Sequence, residues 1–299
     1  MMPLRSAVPV FLSFALAYFF STLVRAVTAT LAPALSTELG LSSGDLGLLA
    51  GAYFLGFAAM QLPLGSALDR HGPRRVLLAL LGVAVVGCAA FAMAQHFVAL
   101  TLARALIGVG VSACLMAPLT AFRRSFGPQA QLRANSWMLM SGSLGMVAST
   151  LPVQWMLPVL GWRGLFWLIG FLLALSMAAI VVCVPADDSR RFAASRTTGY
   201  AAIWRQRTLL RFAPLAFFHY GGMIAVQSLW AGPWLVQVCG WTPEQAAAGL
   251  FAAAAHVALL VLTVRFGGHA PPVSPLHQDD VPSVMEVLSL HQVELLPEP

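Results

Sequence analysis

Two arginines stand inside stretches of otherwise uncharged, mostly apolar residues. Arg25 lies in YFFSTLVRAVTATLAPAL, and Arg104 opens RALIGVG, with Gly108 and Gly110 following. A charge at such a position costs ~2.5–3.5 kcal/mol on membrane-insertion scales. A guanidinium offers a planar fork of donors that fits a carboxylate or a phosphate. No Asp or Glu accompanies the two arginines inside the apolar stretches. Uncompensated cations of this kind point to an anionic ligand, and Arg25, further from either end of its stretch, is the better placed. Structural alternatives stand beside this reading. Arg25 can pair with backbone carbonyls, and Arg104 can snorkel from an outer interface to water.

A second cluster is GSALDRHGPRRVL from Gly65. Here Gly65 is expected to let two helices approach closely, and Gly72 to adopt a positive φ in a tight turn. Asp69 can pair with a basic group or sit at a helix N-terminus. Arg70, Arg74 and Arg75 can hold the loop at an anionic membrane surface. The bland alternative is a loop whose arginines only set topology. Further along, His219 and Gln227, with Tyr220 and Trp230, are polar candidates for lining a cavity, though a lone His is more often simply packed.

Other chemistries find no support. There is no HExxH, no GxSxG, no Walker loop and no pair of intramembrane carboxylates, so an enzyme or an ATP-driven pump is not expected. Cys88, Cys114, Cys183 and Cys239 show no CxxC spacing and read as small hydrophobes. No metal, no cofactor and no nucleic-acid partner is expected.

The elements that must position these residues are membrane helices. The 299-residue chain is 59% hydrophobic and 9% charged, with a mean hydropathy of +0.80. Soluble domains carry about 25% charged residues. Apolar blocks fall at roughly 9–33, 45–67, 75–94, 98–121, 134–157, 163–184, 210–237 and 245–264. Each should be a helix, because a lipid-exposed segment must satisfy its own backbone hydrogen bonds. The first block is too long for a signal-peptide core and reads as an uncleaved membrane helix. All 17 basic residues are Arg, and they alternate by loop. Arg70, Arg74 and Arg75, then Arg123, Arg124 and Arg133, then Arg190 to Arg207 follow the even-numbered blocks. The intervening loops hold Glu38, Asp45, Gln95, His96 and Glu244, with Arg163 alone basic. The positive-inside rule then places the N-terminus in the cytoplasm of a bacterial inner membrane.

The chain also repeats itself weakly at an offset of 200. Pro33, Leu35, Gly40 and Ser42 fall on Pro233, Leu235, Gly240 and Thr242. The last pair are both helix N-cap types.

The loop from Gly65 resembles the G-x-x-x-D-R-x-G-R-R motif of the major facilitator superfamily, in the right loop after the second helix. RALIGVG resembles the family's R-x-x-x-G-x-G motif on the fourth helix. Gly142, Gly145 and Pro152 resemble its small, kinked fifth helix, and Gly161, Trp162 and Arg163 its outer turn into the sixth. The Gly-Pro pair of the family's antiporter motif is missing, so antiport has no support. The resemblance spans residues 8–262. It implies an all-α integral membrane fold: a six-helix bundle over 1–184, an inter-bundle loop over 185–209, and two helices of a second bundle over 210–264. It implies secondary transport of a small solute, favouring an organic anion, by alternating access. It links Arg104 to proton coupling, and the Gly65–Arg75 loop to a latch between bundles whose partner lies on the eleventh helix. The tail over 265–299 is rich in Pro and His and has no spanning block. That composition shift is expected of a replaced or frameshifted C-terminus. Rival readings are a transport-incompetent fragment and a membrane sensor or partner subunit.

Overall fold

The computed structural model describes residues 4–187, 231–242, 245, 246, 248–250 and 252, and the single positions 214, 218, 221 and 222. All belong to one compact unit, Met1–Ala258. His219, Gln227, the linker beyond residue 187, most of the seventh and eighth blocks and the tail lie outside the described residues.

Eight helices are described: α1 Leu4–Leu39, α2 Ser43–His71, α3 Pro73–Met93, α4 Phe97–Val111, α5 Ala113–Ser125, α6 Pro128–Ala148, α7 Leu151–Cys183 and α8 Ala231–Gln237. Helices α4 and α5 meet at Ser112, which keeps helical φ −59° and ψ −30°. They therefore act as one span, Phe97–Ser125. Among the described residues, five helices are long and apolar enough to cross a membrane. One of them, α7, bends back at Gly161, where φ is 63° and ψ 172°. That region of backbone space is essentially restricted to glycine. The first part of α7 completes the fifth predicted block and the second part is the sixth, so the first six blocks are all present.

The fifth block carries the kink that its resemblance to the family implied. It is divided at Ser149–Thr150, where Thr150 has φ −98° and ψ −109°. Pro152 has no N–H for the carbonyl of residue 148, and its ring crowds that carbonyl.

The offset-200 repeat is visible as matched local geometry. Gly40 and Gly240 have φ of 64° and 69°. The Ser42 hydroxyl accepts from the Asp45 N–H at 3.2 Å while the Asp45 carboxylate accepts from the Ser42 N–H at 2.9 Å. Thr242 and Gln245 repeat the exchange at 3.2 Å and 3.0 Å. Each copy thus begins its second helix with a reciprocal cap that satisfies two orphan donors.

Within lipid no hydrophobic force draws helices together, so close backbone approach at small residues does that work. Gly56 of α2 lies against Ala105 of α4, and Gly108 of α4 against Tyr53 of α2. Gly87 of α3 meets Ile107, and Gly110 meets Ala84 of α3. Gly142 and Gly145 of α6 receive Tyr18, Phe19 and Thr22 of α1. Thr22 also donates to the Gly142 carbonyl at 2.8 Å. Cys88 and Cys114 are packed in this core, and Cys239 is exposed. Leu55, Trp155, Val159 and Val182 are exposed on the outside, where a bilayer solvates apolar side chains.

Candidate functional site

The α1–α2–α4 contact brings Arg25 and Arg104 together. Gly108 allows α4 to lie on the α2 backbone, and Arg104 sits one turn earlier on the same face. Its Nη2 donates to the Arg25 carbonyl at 3.1 Å and to the Thr28 hydroxyl. Its guanidinium lies 4.9 Å from the centroid of the Tyr53 ring. Arg25 lies over Phe57 at 5.5 Å, and the Tyr53 and Phe57 rings are themselves stacked at 6.3 Å. Two cations therefore rest on an aromatic pair one helical turn apart, which draws on the negative face of each ring.

The two arginines differ in burial. Arg104 is 1% exposed and Arg25 is only half-buried. An arginine that snorkels to water must leave its guanidinium accessible, so that alternative does not describe Arg104. Its depth follows from Gly108 and Gly110, which seat α4 against both α2 and α3. Arg104 Nε and Nη1 and the Tyr53 hydroxyl are buried without a hydrogen-bond partner. Among the described residues no ion pair involves Arg104. The arrangement can present positive charge and planar donors in a low-dielectric setting, and has no obvious means of proton abstraction or nucleophilic attack. Thr28, Tyr53 and Phe57 were not singled out from the sequence. The signals were present: Thr28 is three residues after Arg25, and Tyr53 and Phe57 are four apart on one face.

The loop cluster binds the ends of α2, α4–α5 and α7 to one another. Asp69 pairs with Arg124 at 3.6 Å, both partly exposed. Arg74 donates to the Val181 carbonyl at 2.7 Å. Asp187 accepts from the Arg75 backbone N–H at 2.9 Å, and so supplies the anionic cap that the first turn of α3 otherwise lacks. Such a charge suits a helix N-terminus. Gly72 has the expected positive φ, 85° with ψ 158°. Gly65 makes no close approach to a described residue. It is exposed, and a methyl there meets no described atom. It faces away from the first bundle, and the close approaches fall to Gly56, Gly108 and Gly110 instead.

Gly72→Ala is expected to be doubly unfavourable. The backbone conformation costs about 1–3 kcal/mol for a residue with a side chain, and the methyl would overlap the Asp187 carboxylate. Thermal melting in detergent should drop, whereas Gly161→Ala, which has the same backbone cost but open space around it, should drop less. Equal losses would show that Asp187 contributes nothing.

The opposite end of the bundle has its own tie, which sequence reading treated as separate loop residues. The Glu38 carboxylate accepts from Trp162 Nε1 at 2.6 Å and from Arg163. Arg163 also donates to the Ala94 carbonyl at 3.1 Å and stacks on Trp162. This joins the ends of α1 and α3 to the Gly161 turn.

The described residues thus form a multi-pass helical membrane bundle with two adjacent guanidinium groups, small-residue helix crossings and a basic loop between its second and third spans. The chain is a member of the Major Facilitator Superfamily, whose family model matches residues 14–274, a match that starts later and ends later than the 8–262 expected from the motifs. It is 31% identical over 141 residues to a probable L-galactonate transporter of Escherichia coli K12, covering 45% of this chain and 30% of that protein. It is 26% identical over 262 residues to a probable sulfoacetate transporter of Cupriavidus necator, covering 78% of this chain and 58% of that one. The chain therefore spans less than two thirds of the length of either relative. In fold it resembles a bacterial homologue of the human lysosomal transporter Spinster, in an inward-facing and occupied conformation, with a TM-score of 0.63 at 22% identity over 92% of this chain and 65% of the other. At that identity the likeness speaks for the fold alone.

Proposed function

We propose that this protein takes part in secondary transport of a small organic anion by alternating access, with Arg25 as the anion contact. The observation that carries the reading is the half-buried Arg25, its guanidinium held over Phe57 beside a fully buried second arginine. A half-buried guanidinium can meet a ligand without the bundle opening, and Arg104 at 1% exposure cannot. The names of the two relatives add support, since galactonate and sulfoacetate are both carboxylates.

The same reading takes residues 1–184 as one bundle, 185–209 as a cytoplasmic loop and 210–264 as the start of a second bundle. The Gly65–Arg75 loop then faces the cytoplasm and serves as a latch between bundles. Reporter fusions at Ser42 and Arg196 are expected to report outside and inside respectively. The reverse pattern would invert this topology.

The test of function uses the full chain in proteoliposomes with L-galactonate, sulfoacetate and neutral sugars as probes. Counterflow of an anion and not of neutral solutes is expected. Flux of neutral solutes only would overturn the anion reading. Saturable anion binding without flux would mean that this chain binds but does not complete a transport cycle by itself.

A further inference from the structure

Resting on Arg25 as the anion contact, we propose that Arg104 is a positioning residue: it fixes the stretch of α1 that carries Arg25 and does not itself touch the anion. Its contacts all lead to that stretch. A single nitrogen, Nη2, donates both to the carbonyl of Arg25 and to the hydroxyl of Thr28, three residues on. The remainder of the guanidinium lies over Tyr53, whose ring is stacked on the Phe57 ring that carries Arg25. Arg104 thus grips Arg25 from two directions, through its backbone and through the aromatic pair beneath its side chain.

Burial separates the two roles. At 1% exposure Arg104 is closed off by α1, α2 and α4. Its backbone neighbourhood is set by Gly108 against the Tyr53 carbonyl and by Gly56 against the Ala105 carbonyl, so the pocket around it cannot widen without parting α2 from α4. An anion large enough to be an organic acid has no room beside it while the crossing holds. The half-buried Arg25 has the access that Arg104 lacks. A carbonyl that accepts from a cationic donor in addition to its helical N–H is held more firmly in direction. The fork of Arg25 depends on that direction, because bidentate recognition tolerates little misplacement.

This division of labour makes an unusual prediction about substitutions. A positioning donor needs one nitrogen and a positive charge, which lysine supplies. An anion contact needs the fork, which lysine lacks. Equilibrium binding of sulfoacetate and L-galactonate to the purified full chain in detergent would be measured alongside thermal melting. Arg104→Lys is expected to keep the affinity within about threefold, and Arg104→Met to weaken it about tenfold or more, the loss expected for a hydrogen bond from a charged group. Arg104→Met should nonetheless melt no lower than the unaltered protein, because exchanging a buried charge for an apolar side chain of similar length removes a desolvation cost. Thr28→Val, which removes one of the two acceptors, should fall between the two. Equal losses in Arg104→Lys and Arg104→Met would overturn the proposal by making the guanidinium itself a ligand contact. So would full affinity in Arg104→Met. Should Arg25→Lys bind as the unaltered protein does, the anion reading itself has failed and takes this inference with it.

Discussion

Arg25→Lys is expected to weaken binding of every anion the protein recognises by about tenfold or more, with folding intact. The substitution keeps the positive charge, the side-chain length and most of the apolar stem. It removes the planar fork, and with it the second of two parallel hydrogen bonds to a carboxylate. It also changes the face presented to Phe57, now 5.5 Å from the guanidinium, since an ammonium cannot stack. Folding should survive because the position is only half-buried and the ammonium can reach the same rim of the site. The measurement is anion affinity together with the melting temperature of the same sample. Unchanged affinity for all anions with an unchanged melt would make Arg25 structural.

Gly108→Val is expected to have the largest effect on the fold. Any Cβ at this position overlaps the backbone carbonyl of Tyr53, with the Phe57 amide close behind. These are backbone atoms of a neighbouring helix and cannot swing aside as a side chain can. Overpacking typically costs about 1–3 kcal/mol where side chains can yield, and here α2 and α4 must separate along their whole crossing. Separation would also draw Arg104 away from Thr28 and Tyr53, so binding should be lost together with stability. Gly47→Ala is the control, because a methyl there meets nothing described, and it should melt at or slightly above the unaltered protein. The check is the fraction of monodisperse protein after heating in detergent. Equal behaviour of the two variants would contradict the account of the α2–α4 crossing.

What could be read from the sequence is what the bilayer imposes. The first six apolar blocks all appear as helices, since any spanning segment must close its own hydrogen bonds. The caps at Ser42 and Thr242 and the turn at Gly72 were readable because each depends on local chemistry alone. The depth of Arg104 was not. Whether an arginine snorkels or is sealed in depends on neighbouring helices, and here the approaches at Gly108 and Gly110 decide it. The Glu38 tie to Trp162 and Arg163 was hidden for the same reason, with partners 124 and 125 residues apart. Gly65 is a different case: the close approach expected of it is not made to any described residue. The cap of α3 by Asp187 also joins residues 112 apart, and nothing near Arg75 in the sequence announces it.

The central claim is that a negative charge is what Arg25 recognises. It is tested most directly by competition between carboxylates and their own uncharged amides, L-galactonate against L-galactonamide being one such pair, for binding to the full chain. A panel of small organic acids and their amides would be titrated under one set of salt conditions. The account predicts that at least one acid binds saturably and that its amide fails to displace it at about hundredfold excess, because a site built to bond a charged group rejects the analogue lacking it. An amide that competes as well as its acid, or a panel in which only neutral solutes bind, would contradict it.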